Sequence, residues 1–278
     1  MSHPVGTIGE DDHLPASPVS FAQANARHFD CEAHRYEHHA GTRELVRRVA
    51  RAMVREYAFD EETTTVLDYA CGTGMLSRAL SPHAKSIVGM DISEASVAEY
   101  NSRVFNQGLG PEDMRAVVGS LPGAPEGLEG AHFDAVVCSM AYHHFFVPDE
   151  ITALLARFLK PGGVLLVVDL MTRFNNKFGS SKREEIFSLA HQHLVPHRYG
   201  FTREQMQAMF DEAGLEGFKF ETAFCGYKPI IKKPKAVRVS SGQADGAELR
   251  DVSFFLAQGR KPMGGDQYPK TSTGHGAA

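Results

Sequence analysis

The 278-residue sequence has four cysteines, Cys31, Cys71, Cys138 and Cys225, with no C-x-x-C pair among them. Thiols scattered in this way exclude a zinc knuckle and a disulfide framework, so reduced side chains are expected. No apolar run approaches the roughly 18 residues that a bilayer-spanning helix needs. The N-terminus, with its Pro, Gly, Asp and His, has no signal-peptide apolar segment. A cytoplasmic protein with no membrane partner is the expectation. There is no excess of positive charge either. A formal net charge of -5 and a pI near 6.3 give no overall attraction to phosphate backbones, which disfavours nucleic acid as a partner. Apolar periodicity is missing at both ends, and residues 1–20 and 261–278 are expected to be mobile tails.

What is present is a globular composition, 42% hydrophobic and 23% charged, enough apolar side chain for a large core. Short β-rich runs (TTTVLDY, SIVGMD, RAVVG, FDAVVCS, GVLLVVDL) alternate with helical segments such as EASVAEYNSRVF and EITALLARFL. That alternation predicts an α/β fold, a doubly wound and mostly parallel sheet, in one domain over 21–260. Leu45, Val46, Val49, Met53 and Val54 recur at helical spacing and place a helix from about Arg43 to Tyr57, ahead of the first strand. TREQMQAMFDEAG reads as a helix capped by Thr202 and stopped by Gly214. Strands are expected near 216–223 and 251–258. Between them, 225–250 carries Pro229, Pro234 and a basic run, and is expected to be an inserted loop or extended ribbon with a solvated charged surface.

The informative stretch is VLDYACGTG, residues 66–74, a strand that runs into a glycine turn and then a helix beginning near Met75. Gly72 and Gly74 lack Cβ atoms, so the chain can turn sharply and bring its amides close to a ligand beside a helix N-terminus. Seventeen residues beyond Gly74, the strand SIVGMD ends in Asp91, where a carboxylate can accept hydrogen bonds from two ribose hydroxyls. A dinucleotide fingerprint requires a third glycine, but Met75, Leu76 and Ser77 follow here. An acid such as Asp68 beside the turn would oppose a pyrophosphate and suits an ammonium group.

With these elements the chain resembles the class I S-adenosylmethionine-dependent methyltransferases of small-molecule type, over roughly residues 21–260. The resemblance implies a seven-stranded sheet with an N-terminal helical cap. S-adenosylmethionine is the implied cofactor and S-adenosylhomocysteine the implied product. It implies that Asp68, Ala70, Gly72 and Gly74 surround the methionine part and that Asp91, with Ile92 beside it, meets the ribose. RAVVGSLP would place Ser120 and Leu121 against adenine, with Ser120 where many relatives have Asp. Cys138, ending FDAVVCS, is a further contact candidate by position, although it equally suits a small buried residue. HFDCEAHRYEHH resembles the cap, in which an aromatic, here Tyr36, closes over the cofactor; packing by Phe29 and Tyr36 is the plainer role.

Methyl transfer from a sulfonium depends mainly on positioning, so a base is optional. His143 and His144, with Tyr142, follow the fourth strand at the ligand-binding edge of the sheet and are the catalytic candidates. Asp169 ends the fifth strand at the same edge. His191, His193 and His197 fall in the expected substrate wall, but their spacing is not that of a helical metal site, and no metal is expected. After the fourth strand CSMA stands where a nucleic-acid amino-methyltransferase has an N/D-P-P-Y/F motif, and no Pro-Cys nucleophile is present. The expected function is methylation of a small molecule at O, N, S or C, with His143 or His144 as base. The alternative is a non-catalytic S-adenosylmethionine-binding partner of another methyltransferase, though no partner protein is indicated.

Overall fold

A computed structural model of the chain describes residues 17–38, 41–119, 128–175, 182–230 and 248–264. The first helix, α1, spans Pro18–Glu32, where Ser17 caps it in a box with Ser20 and Pro18 fits the first turn. It therefore begins three residues before the expected domain boundary, while residues 1–16 and 265–278 lie outside the described part. A 3-10 turn at Tyr36–His38 follows, then α2 at Thr42–Glu56, which buries Val49, Ala50, Ala52 and Met53 along the face expected from their spacing.

The strands and helices then alternate: β1 Thr65–Tyr69, α3 Met75–Leu80, β2 Ser86–Asp91, α4 Glu94–Asn106, β3 Met114–Val118, β4 Phe133–Ser139, α5 Pro148–Arg157 and β5 Leu159–Leu170. A short two-stranded ribbon, β6 Phe174–Asn175 with β7 Lys182–Arg183, precedes α6 Arg203–Glu212. Thr202 caps α6 in a box with Gln205, and Gly214 turns the chain at a φ of 72°. The long strands β8 Glu216–Ile230 and β9 Glu248–Arg260 pair antiparallel along their whole length, so the described ends of the 225–250 segment form an extended ribbon.

The seven-stranded sheet has the order β3-β2-β1-β4-β5-β9-β8. β1 to β5 are parallel, and β9 enters antiparallel to β5. The mostly parallel, doubly wound expectation is met. β1 and β4 are neighbours whose chains leave in opposite lateral directions, which opens a crevice at their carboxyl ends. One face of the sheet packs Val49, Met53, Leu80 and Tyr100, and the other packs Tyr142, Leu155, Phe201 and Phe210. Strands buried on both faces require the near-continuous apolar run seen in β5, where every residue from Gly163 is apolar up to Asp169. Among the described residues no helix is long and apolar enough to cross a membrane.

Candidate active site

Beyond β1 the backbone becomes left-handed at Ala70, Gly72 and Gly74, with φ of 57°, 54° and 80°. The two glycines meet that requirement for different reasons. A Cβ on Gly72 would meet nothing within 4 Å, so bare backbone faces the crevice there. A Cβ on Gly74 would lie 2.4 Å from the Tyr100 ring, so this glycine exists to let α4 pack against the turn. Beyond β4, Met140 has a φ of 56°. Ala70 and Met140, both non-glycine, thus hold strained backbone at the ends of adjacent strands, beside one cavity.

Two carboxyls flank the turn. Asp91 accepts from the Gly72 N–H at 2.8 Å and from the Ser93 N–H at 2.9 Å, which fixes its orientation, and burial raises its pKa. Asp68, 1% exposed, accepts from the Ser77 hydroxyl at 2.6 Å. Burial, reinforced by the charge of Asp91 and opposed by that hydrogen bond, lifts its pKa to about 7. Burial likewise raises the thiols of Cys71 and Cys138, which are poor nucleophiles as a result.

The cap is tied down by acids that face this turn. Asp30 at the end of α1 accepts from the Ser93 hydroxyl at 2.6 Å and the Ala95 N–H at 3.1 Å, at the start of α4. Glu37 accepts from Arg78 at 2.6 Å, from the Thr73 hydroxyl at 3.0 Å and from Arg103. Between these two clasps, Tyr36 has 36% of its surface exposed, and loss of solvent around its hydroxyl, with Asp91 nearby, raises the phenol pKa. Asn25, 3% exposed, donates to the Phe21 carbonyl, and its own carbonyl oxygen has no partner among the described residues. Neither Asp30, Glu37 nor Asn25 stood out in the sequence, because acids and amides on an amphipathic helix look like a solvated face until the helix is docked.

Cap and crevice together enclose a cavity of about 900 Å³. Ile92, Tyr36, Asp68, Ala70, Gly72 and Asp91 line it, as do His143 and His144. His143 is 3% exposed, and its Nδ1 is 2.8 Å from Asp169 Oδ1. A carboxylate can only accept, so Nδ1 donates to it, and in the neutral imidazole Nε2 is then the nitrogen with the lone pair. Asp169 is itself held by the N–H groups of Leu170 at 2.6 Å and His143 at 3.3 Å, and Phe187 stacks on the imidazole at 4.9 Å. His144 reaches the Leu194 carbonyl with Nδ1 at 2.9 Å and meets the Phe29 ring at 5.2 Å. His191 lines the cavity from the 171–200 segment, as do Leu194 and Val195.

Three expected site residues are placed elsewhere. Tyr142 is fully buried on the opposite face of the sheet, with its hydroxyl 3.0 Å from that of Thr152, so its proton is not offered to the cavity. Cys138 packs in the same core because alternation along β4 turns it away from the crevice, and Gly74, whose missing Cβ would meet Tyr100, is not among the residues lining the cavity. Ser120 and Leu121 lie outside the described residues. His34 is an exposed partner of Glu99 at 3.4 Å, and no group of three metal-ligating side chains occurs among the described residues.

A bare-backbone cradle at Gly72, two carboxyls able to meet hydroxyls and an ammonium, and a buried acceptor on Asn25 unmatched among the described residues fit S-adenosylmethionine. With the strand order, they define a class I S-adenosylmethionine-dependent methyltransferase. Comparison with known proteins agrees: the family model described as a methyltransferase domain matches residues 36–219, and the chain belongs to that family. An uncharacterized methyltransferase of Schizosaccharomyces pombe is 39% identical over 158 residues, 54% of this chain and 53% of that protein. The ubiquinone biosynthesis O-methyltransferase of Caulobacter vibrioides is 32% identical over 39% of this chain and 42% of its own length. The chain thus spans about half the length of the curated relatives it matches. Geranyl diphosphate C-methyltransferase from Streptomyces coelicolor has the same fold, with a TM-score of 0.57 at 13% identity over 90% of this chain and all of that one.

Proposed function

We propose that the protein methylates a small, largely apolar, uncharged acceptor whose reacting atom carries an acidic proton, and that His143 removes that proton. The observation that carries the reading is the His143–Asp169 pair inside a cavity with apolar walls. Phe21, Phe29, Phe145, Phe146 and Phe187 form much of those walls, and no Lys or Arg is among the described residues lining them. A diphosphate-bearing acceptor, such as the name of the Streptomyces relative indicates for that enzyme, would lack a counter-charge here. A phenol or enol, of the kind an O-methyltransferase takes, would not need one.

In this reading Gly72, Ala70 and Asp68 hold the amino-acid end of the cofactor, Asp91 and Ile92 the ribose, and Tyr36 closes over it. Bound S-adenosylmethionine supplies a methyl group on a positively charged sulfur. Asp169 keeps the His143 proton on Nδ1 and stabilises the imidazolium that forms when Nε2 takes the acceptor's proton. The phenylalanine walls exclude water and hold the acceptor in line, which supplies most of the rate. His144 positions the acceptor from the cap side.

The test is turnover with methyl-labelled cofactor against a panel of phenols, enols, amines and thiols, in the wild type and in Asp169→Asn. Methylation of phenols or enols is expected, with kcat in Asp169→Asn lowered about a hundredfold or more and KM little changed. Preference for amines, or full activity in Asp169→Asn at every pH, would remove His143 as the base.

A further inference from the structure

A second groove, of about 500 Å³, lies on the other side of Val46 and Met75, which line both it and the reaction cavity. Arg43, Arg47 and Arg51 recur every fourth residue on α2 and so stand in one row, with Arg78 of α3 and His83 across from them. Its floor is apolar, formed by Ala50 and Val54 among others. Arg47 is satisfied by Glu44 through two hydrogen bonds of 2.8 Å, and Arg78 by Glu37. Arg43 and Arg51 have no carboxylate partner among the described residues. Glu37 is the sole acid among the described residues that line the groove.

We propose that this groove binds a phosphate-class anion, a phosphomonoester or diphosphate carried by a small molecule, and that binding opposes cofactor binding through Arg78. Planar guanidinium forks match phosphate oxygens in pairs, and an apolar floor strengthens the attraction by lowering the local dielectric. The volume is that of a small-molecule site. A net charge of -5 on the whole chain works against an extended polyanion and leaves a compact one as the fitting ligand. The coupling follows from shared contacts. Arg78 donates both to Glu37 and to the Thr73 carbonyl at 2.8 Å, so an anion that engages Arg78 draws it away from the clasp beside Tyr36. The cap then holds the cofactor less tightly. Linkage requires the cofactor to weaken anion binding by the same factor.

The experiment is calorimetric titration of pyrophosphate into the full chain at constant ionic strength, with and without saturating S-adenosylhomocysteine, for the wild type and an R43Q/R51Q variant. Saturable binding is expected, weakened about tenfold or more in R43Q/R51Q and reduced when S-adenosylhomocysteine is bound. Matched thermal midpoints and an unchanged S-adenosylhomocysteine affinity in the variant without anion show that it remains folded. Flotation on phosphatidylcholine vesicles carrying phosphatidic acid separates the sources of phosphate. Flotation that is lost in R43Q/R51Q assigns a lipid headgroup, and no flotation assigns a soluble ester. Absence of saturation, or equal pyrophosphate binding by wild type and variant, overturns the site; pyrophosphate affinity indifferent to S-adenosylhomocysteine overturns the coupling.

Discussion

Asp68 has a carboxyl from which water is almost excluded, and its raised pKa has a direct consequence for stability. Between the ordinary carboxylate range and about 7 the native chain keeps this proton while the unfolded chain has lost it. Stability of the cofactor-free protein should therefore fall as pH rises through that window, by at most about 1.4 kcal/mol per pH unit. Asp68→Asn should flatten this part of the profile, as urea denaturation at several pH values would show. Affinity for S-adenosylhomocysteine should run the other way and rise as the carboxyl ionises, because its ammonium group prefers a carboxylate. The two glycines of the turn make a second residue-scale contrast. Gly74→Ala drives a methyl into the Tyr100 ring as well as straining φ, and should cost about 2–4 kcal/mol of stability. Gly72→Ala meets open space, so its stability cost should be about 1–2 kcal/mol, with the larger loss in cofactor affinity by calorimetry. Their spacing in the sequence is that of one ligand-binding motif, and nothing local distinguishes a glycine that meets a ligand from one that meets a tyrosine 26 residues later.

At the scale of elements, the cap is a separate piece, α1 and the 3-10 turn, fastened by Asp30 and Glu37. The Glu37 pairs are among the better shielded on the protein, with side-chain exposures of 14% for Glu37 and 17% for Arg78. Glu37→Gln removes charge-assisted bonds worth about 1.5–3 kcal/mol in the docked state. It should weaken S-adenosylhomocysteine binding about tenfold or more, while the sheet's thermal midpoint stays nearly unchanged. Limited proteolysis within α1 should accelerate correspondingly. An unaltered affinity in Glu37→Gln would mean that the cap takes no part in holding the cofactor.

Across the whole molecule, stability is divided between a doubly buried sheet and a cap that covers its open edge. Hydrogen exchange should report that division: amides of β1, β4 and β5 exchanging near the global unfolding limit, α1 far sooner, and α1 slowing selectively when S-adenosylhomocysteine is added. Exchange in α1 that ignores the ligand would show that the clasp and the cofactor are independent.

Much of the fold was legible beforehand because its cause is local. Apolar runs of strand length, helical spacing of Val49 and Met53, the Thr202 cap and the glycine turn each act within a few residues, and together they determine a doubly wound α/β domain with a crevice after β1. The cofactor class was legible through a family resemblance, which Gly72 and Asp91 carry at strand ends that the pattern itself marks. Tyr142 and His143 show where that reasoning stops. They are neighbours in the chain, yet a single 3-10 turn buries Tyr142 against Thr152 and delivers His143 to Asp169 and the cavity. The basic row of α2 likewise reads as a solvated face until α3 sets Arg78 across from it. The sequence by itself determined the domain, because periodicity and turn chemistry are short-range, and it pointed to the cofactor through the resemblance carried by the glycine turn and Asp91. Tertiary structure alone decided which histidine meets an acid at the cavity, which acids fasten the cap and which arginines share a groove, because those pairings join residues whose separation along the chain carries no periodic trace.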